Sequence, residues 1–508
     1  MPDDMAATDR ELNGTGTLND KRSGAPSTPV HEEKSPDSTR PEALKRNIDD
    51  LTTGTTSEKN GDLARGTTPE TTDDLATIAT PEKTDDPLTP DTSVKTDDTG
   101  NDMNEKDGGV PREEEGIFDE LYTTLFGKSW EMWIGCIILS FLSIVLFLIS
   151  SPWGSSGGLN NFGQNFYDML GMSFDESAPK GVKEVRDYRY AMLSLTMLLG
   201  ALGSALIAKE FAIRVPPKGE LAKGLVGGVL MGTGAILGMG CTVGGFYSAW
   251  PALSGSGLIF ALGLFIGVYI AVQYLVWEME AYPGLSSGKT YTVLASRTTG
   301  MSLQPLAGMI VLGIGASLAL LYDSTSEKVL IGFVLIGLII GVVLQRSRFC
   351  IVRALREPFI SGDSDPAVGI MAGIIIGLIG FTTIKVMGIG SESAYVASSY
   401  WVPAIVGGVI FGLGMTVAGG CTVGATWRAG EGHVKLWMAL IGLILSMPLV
   451  GEYIKPGFFD MLPDSMNQAV FLPDTFGYGG SISLMLLIIV LWFIFVKWNE
   501  RTGRLTAF

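Results

Sequence analysis

Cysteine and histidine are scarce in this chain of 508 residues. It has four cysteines but no Cys-x-x-Cys pair, which argues against a disulfide framework or a zinc site. The two histidines, His31 and His433, leave little for acid–base or metal chemistry. A glycine-rich loop for binding ATP is also missing. We therefore expect no metal, no cofactor and no energy from ATP.

Charged residues make up only 17% of the chain, and most of the net charge lies in one segment. Residues 1–120 carry 30 Asp or Glu and 13 Lys or Arg, a balance of −17, whereas the whole chain has −16. The remainder is therefore nearly neutral. The low isoelectric point gives no information about the substrate, and nothing predicts a nucleic-acid partner.

The N-terminal segment lacks aromatic residues, and its Thr, Asp, Glu, Pro and Gly cannot bury enough surface to offset the entropy of ordering. We therefore predict a disordered acidic tail at residues 1–115, which can be deleted without loss of membrane insertion or transport. No apolar run follows Met1, so no secretory signal is expected. Apolar residues at helical spacing then predict an amphipathic interfacial helix at 116–130.

The rest of the chain, residues 131–508, reads as an all-α integral membrane protein. Mean hydropathy is +0.32 despite the polar tail, and a spanning helix needs about 20 apolar residues. A long polar loop is expected at 153–187. Ten spans are predicted near 131–152, 188–208, 223–240, 257–277, 304–322, 329–345, 366–387, 402–420, 434–453 and 480–498.

Basic residues indicate the orientation of these spans. Three basic segments, 209–223, 346–356 and 497–504, follow even-numbered spans, and cytoplasmic loops are the ones enriched in Lys and Arg. Ten spans place all three segments and both termini inside, although the basic residues at 180–186 favour the opposite orientation. We expect a multi-pass protein of the cell (inner, cytoplasmic) membrane.

One stretch of the chain occurs twice. Residues 225–245 read LVGGVLMGTGAILGMGCTVGG and residues 405–425 read IVGGVIFGLGMTVAGGCTVGA, with 11 of 21 positions identical. Each copy has small-xxx-small glycines that allow close helix packing, then a Gly-Cys-Thr-Val-Gly turn that can end a helix inside the membrane. Paired interrupted helices point to a transporter's substrate site. The alternative is a duplicated packing element with an inert thiol.

The span count predicts that the two copies are inverted. Cys241 follows three spans and opens outward, whereas Cys421 follows eight and opens inward, as in transporters with a two-fold axis in the membrane plane. A third cysteine, Cys350, lies among arginines in QRSRFCIVRALREPF, residues 345–359. Juxtamembrane anchoring explains the arginines but not the cysteine.

Together, GMGCTVGG, RSRFCIVRALREPF and AGGCTVGATWRAGEG resemble the YeeE/YedE family of sulfur-transport membrane proteins, whose members look like thiosulfate transporters. The resemblance runs from about Tyr188 to the C terminus and implies that Cys241, Cys350 and Cys421 pass the ion along a central pathway in an hourglass-shaped protein. The tail, the 153–187 loop and an additional span carrying Cys136 depart from it. The pathway predicted from these motifs comprises Gly240, Cys241, Thr242, Gly244, Arg348, Cys350, Gly420, Cys421, Thr422, Gly424 and Arg428.

Three functions remain open for these residues. A thiol is a weak, soft donor that can bind the terminal sulfur of thiosulfate without holding it tightly. Thiosulfate uptake is therefore preferred, with the lipid bilayer and a cytoplasmic sulfur-carrier protein as candidate partners. A membrane-bound sulfur transferase would need a base beside a cysteine, and only His433 is near in sequence. A channel for other small sulfur or selenium species is the third reading. Arg428 could attract anions or anchor the interface.

Overall fold

The computed structural model of the protein describes residues 122–172, 184–282, 290–293, 303–322, 328–389, 395–397, 401–463 and 468–506. The predicted disordered tail at 1–115 lies outside these ranges. Of the predicted amphipathic helix, the structure describes a short π-helical turn at Thr123–Gly127, and Lys128 is extended. Helix therefore ends before residue 130, because the backbone N–H of Trp130 donates to the Arg346 carbonyl rather than within a helix.

Within the described ranges, the chain up to residue 317 contains seven helices and both strands of a small ribbon. Most are continuous apolar segments, and α5 is a short π-helical segment. They are α1 Met132–Ile149, α2 Ser156–Met169, α3 Arg189–Ile207, β1 Ile213–Val215, α4 Lys218–Leu237, α5 Thr242–Tyr247, α6 Gly255–Ala281 and α7 Gln304–Ser317.

The second half repeats this order of long and short helices. Strand β2, Tyr291–Val293, precedes α7 and pairs antiparallel with β1. The helices are α8 Lys328–Ser347, α9 Ile351–Ile360, α10 Asp365–Val386, α11 Val402–Ala418, α12 Thr422–Gly430, α13 Val434–Leu449, α14 Lys455–Asp460 and α15 Leu472–Thr502. Single turns lie at Val185–Asp187, Leu318–Tyr322 and Val450–Ile454.

Each of the ten predicted spans coincides with a helix. In the described ranges, nine helical segments are long and apolar enough to cross a bilayer, and Gln304–Leu320 is a shorter apolar helix. The all-α membrane fold is therefore confirmed. The prediction of a polar loop throughout 153–187 is wrong, because α2 forms within it. This helix has no long apolar run and is held by tertiary packing on α3 and α13.

Reciprocal glycine contacts relate the two copies of the repeated stretch. A Cβ placed on Gly227 would meet the carbonyl of Gly414, and one placed on Gly234 would meet the carbonyl of Gly407. Because the copies are offset by 180 residues, Gly414 is the equivalent of Gly234, and Gly407 is the equivalent of Gly227. Exchanging the two copies therefore turns one contact into the other, as in a two-fold symmetric interface. Helices α4 and α11 are antiparallel, which confirms an inverted repeat.

The same two-fold relation extends over six helices in each half. Helix α3 packs on α8 while its equivalent α10 packs on α1, and α6 packs on α11 while its equivalent α13 packs on α4. The repeat therefore includes α1 to α6 and α8 to α13. Its two halves interlock, and every long helix of one half has a partner in the other.

We expect Gly228→Ala to destabilise the protein because a Cβ there would lie 2.1 Å from the Ala439 carbonyl oxygen. Overpacking of this kind costs about 1–3 kcal/mol. Thermal unfolding in detergent measures it. Gly451→Ala is the matched control, since no atom lies within 4 Å of its Cβ position. Equal melting temperatures for the two variants would contradict this account of the helix contact.

Candidate functional site

Three of the four cysteines lie where a long helix stops and a short helix begins. Cys241 is the N-cap of α5, Cys350 that of α9 and Cys421 that of α12. All three are free thiols, and their exposed fractions are 0%, 2% and 0%. Each N-cap residue has extended backbone, so the chain changes course at the cysteine itself.

The two Cys-Thr-Val-Gly turns have the same geometry. The Sγ of Cys241 accepts a hydrogen bond from the Gly244 N–H at 3.4 Å, and the Sγ of Cys421 accepts one from the Gly424 N–H, also at 3.4 Å. Before the turns, Met239 and Gly419 occupy equivalent positions and both have left-handed φ, 54° and 82°. The repeat therefore duplicates the backbone shape and not only the sequence.

A glycine is required directly before Cys241 by close packing of the turn. A Cβ on Gly240 would lie 2.8 Å from the Cα of Gly245, closer than side-chain carbons approach backbone. Its equivalent Gly420 is less crowded, with the nearest atom, Cδ2 of Leu436, at 3.2 Å. These glycines let the short helix fold back against the end of the long one.

Sulfur atoms from two helix breaks in the second half of the chain face a common space. A Cβ on Gly424 would lie 3.6 Å from the Cys421 sulfur and 3.8 Å from the Cys350 sulfur. The Cys421 thiol also lies close to the side chain of Thr242, the residue that follows Cys241. Cys350 and Cys421 are therefore brought together at the bare Cα of Gly424, and the turn that carries Cys241 lies next to Cys421.

The threonine of each turn carries a buried hydroxyl group. The Thr242 side chain lies against the Cys421 thiol, and among the described residues the Thr422 Oγ1 has no hydrogen bond. Native proteins rarely leave buried hydroxyl groups unsatisfied. The Thr422 hydroxyl, beside the thiols, is therefore available to a polar ligand or water.

Cys136 differs from the other three cysteines. It lies within helix α1, not at a helix break, and its sulfur faces α10 at Gly369. Its carbonyl accepts a hydrogen bond from Tyr247 at 2.8 Å. These contacts fit the prediction that Cys136 faces the protein core or lipid, and they make it a suitable control.

Both arginines of the predicted pathway are engaged elsewhere. Arg348 forms an ion pair of 3.4 Å with Glu210, and its side chain is half exposed. Arg428 donates to the Gly419 carbonyl at 2.9 Å and lies over the ring of Trp427. Arg428 thus satisfies a carbonyl at the end of α11, a role that the sequence did not suggest.

A buried polar network lies beside these arginines. The Gln345 amide donates to Glu210 at 2.7 Å and to Glu431 at 2.9 Å, and the Ser204 hydroxyl donates to Gln345 at 2.7 Å. His433 contacts Glu431 at 3.6 Å and Arg214 at 2.9 Å. In the described part of the chain the His433 ring is engaged with Arg214 and Glu431 and not with a cysteine, so it is poorly placed as the base of a thiol enzyme.

Glu431 gives this network a pH dependence. Burial raises the pKa of its carboxyl, but the nearby His433 ring, a hydrogen bond from Gln345 and the charge of Arg348 outweigh burial, so the pKa lies below its ordinary value. The carboxylate therefore stabilises the fold above the unfolded pKa of about 4.3, and this is lost as the pH falls through the folded pKa.

We expect Glu431→Gln to melt at a lower temperature than wild type at neutral pH, with a difference that shrinks as the pH falls below about 4.3. Melting curves in detergent across this range measure it, and Glu452→Gln, at an exposed position, is the control. A difference that is constant with pH would mean that the ionised carboxylate contributes nothing.

Sequence reasoning missed a segment that precedes α2. Trp153, Gly154 and Ser155 are buried beside α5, and the Ser248 hydroxyl donates to the Trp153 carbonyl at 2.8 Å. Tyr395 also reaches this carbonyl, at 3.4 Å. The small-residue run Ser-Ser-Pro-Trp-Gly-Ser-Ser-Gly-Gly directly after an apolar helix was the available signal.

Comparison with known proteins agrees with this architecture. A family model described as "Sulphur transport" matches residues 105–270 and 346–507, one region in each half of the repeat. The probable transporter YedE of Escherichia coli is 24% identical over 388 residues, covering 75% of this chain and 95% of that protein. YedE of Salmonella typhimurium is 25% identical over 385 residues, 74% of this chain and 94% of the relative.

Proteins named for their substrate match over shorter regions. The thiosulfate transporter TsuA of Escherichia coli is 28% identical over 160 residues, 31% of this chain and 45% of that protein. The two regions of the family model span well over half of the chain, and the three motif cysteines lie in the duplicated helix breaks. The chain belongs to the sulphur transport family of membrane proteins.

Proposed function

We propose that this protein carries thiosulfate inward across the cell membrane along Cys241, Cys350 and Cys421. The observation that supports this most is the shared space at Gly424, where thiols from two different helix breaks face each other without a side chain between them. Thiosulfate has one soft terminal sulfur and three oxygens. A neutral thiol can donate a weak hydrogen bond to that sulfur and then release it.

The surroundings of the thiols fit an anion that moves. Helices α9 and α12 begin at Cys350 and Cys421, so their free backbone N–H groups lie near the sulfurs and favour negative charge. The buried hydroxyls of Thr242 and Thr422 offer further donors. Several weak sites in succession permit both entry and exit, which conduction requires.

Uptake of ³⁵S-labelled thiosulfate by cells that lack other importers tests the proposal. We expect the labelled thiosulfate to accumulate in cells that express the wild-type protein and to stay at the background level in cells that carry the empty vector. An excess of unlabelled sulfate, which has no soft sulfur, should compete poorly. Background uptake by a well-expressed wild-type protein would refute thiosulfate as the substrate.

A further inference from the structure

Helix α2 is the inverted-repeat equivalent of α9. Helix α9 packs on α6 and α10, and α2 packs on their equivalents α13 and α3. Ser155 is the N-cap of α2, just as Cys350 is the N-cap of α9. The fold therefore has a fourth helix break of this kind, where serine occupies the position equivalent to Cys350.

Two polar groups of this break are buried without a partner. Trp153 and Ser155 have exposed fractions of 0% and 1%, and no hydrogen bond to the Trp153 Nε1 or the Ser155 Oγ occurs within the described ranges. The Ser194 Oγ, also buried and unpartnered, lies next to the first turn of α2 at Gly158. An indole N–H can only donate, so its burial is costly unless an acceptor enters.

This break adjoins two of the three thiol-bearing turns, those of Cys241 and Cys350. The Trp153 ring packs against Tyr247, whose centroid is 6.3 Å away, and against Phe349, the neighbour of Cys350, at 6.2 Å. The Tyr395 hydroxyl lies 2.9 Å from a Cβ built on Gly154 and 3.0 Å from one built on Gly244, whose own neighbour is the Cys241 sulfur. Trp153 and Gly154 thus lie beside the Cys241 turn, and Ser155 follows them directly in the chain.

The chemistry of the donors differs from that of the cysteines. N–H and O–H groups bind oxygen acceptors well, whereas thiols are weak, soft donors. We propose that Trp153 Nε1–H and Ser155 Oγ–H form a subsite for the oxygen atoms of the substrate, next to Cys241. This inference rests on the proposed transport function and deepens it: the subsite selects sulfur anions that carry oxygens at one end, such as thiosulfate, over hydrosulfide and polysulfides.

Concentration-dependent uptake of labelled thiosulfate tests the subsite. Trp153→Phe keeps an aromatic ring but removes the N–H, and Ser155→Ala removes the hydroxyl. Because a hydrogen bond to a charged group is lost, we expect KM to rise about tenfold in each variant. KM does not depend on the number of folded copies, so partial misfolding lowers only the maximal rate.

Trp250→Phe is the matched control. The Trp250 indole is also buried, but its Nε1 donates to the Gly257 carbonyl at 3.1 Å, so its loss should leave KM unchanged. Unchanged KM in Trp153→Phe and Ser155→Ala, with wild-type uptake intact, would overturn the subsite alone. An equal rise in KM in Trp250→Phe would also overturn it. Absence of wild-type uptake would instead refute the proposed function.

Discussion

Replacement of any one of Cys241, Cys350 and Cys421 by alanine is expected to reduce thiosulfate uptake at least about tenfold, which corresponds to about 1.4 kcal/mol. Each thiol is one step of the proposed path, and alanine leaves the ion facing an apolar wall at that step. Serine keeps a hydroxyl donor but loses the polarisable sulfur, so Cys→Ser variants should be impaired less. Initial rates at matched membrane expression give the comparison.

Cys136→Ala is the control for the three pathway variants. Cys136 is equally buried, so it reports the cost of removing a core sulfur, but it lies within α1 and not at a helix break. We expect nearly normal uptake. Normal uptake in both Cys241→Ala and Cys421→Ala would exclude the relay. One indispensable cysteine with a trapped persulfide and two tolerant ones would indicate a thiol enzyme.

Gly424→Ala should strongly reduce uptake while leaving the fold intact. The added methyl group would lie at ordinary contact distance from two sulfurs, 3.6 Å and 3.8 Å, and alanine favours helix α12 over glycine. The substrate needs the same space between Cys350 and Cys421. We therefore expect a loss of at least about tenfold in uptake, the size of effect that 1.4 kcal/mol produces.

This result separates blockage from misfolding. Gly424→Ala should unfold at the wild-type temperature, whereas Gly228→Ala, whose Cβ meets backbone, should unfold earlier. Gly451→Ala, with open space around it, should keep both stability and uptake. If Gly424→Ala transports normally, the path does not pass between Cys350 and Cys421.

Local sequence patterns were sufficient for the elements that repeat or that cross the membrane. Apolar length located the nine long apolar helices of the described ranges and the shorter one at Gln304–Leu320, and the duplicated Gly-Cys-Thr-Val-Gly turn located two of the helix breaks. The sulfur-transport resemblance, carried by the same motifs, is confirmed. That Cys241, Cys350, Cys421 and their neighbours carry the substrate stays a prediction.

Features that depend on contacts between the halves were not predictable. Helix α2 has too few apolar residues to be recognised, since its stability comes from packing on α3 and α13. The equivalence of Ser155 and Cys350 is likewise hidden, because the two segments share no sequence motif. Arg428 and Arg348 looked like free cations until their partners, the Gly419 carbonyl and Glu210, were located.

Because the long helices of each half pack on helices of the other half, the first half cannot complete its packing until the second half has been synthesised. When α6 leaves the ribosome, α1 and α3 still lack their partners α10 and α8, which are encoded later. At about 5–20 residues per second, synthesis through α13 takes on the order of 10–30 s more. During this interval the glycine-lined faces of the first half are open to lipid or to the quality-control machinery. We therefore expect that neither half folds by itself and that a chain truncated between them is degraded.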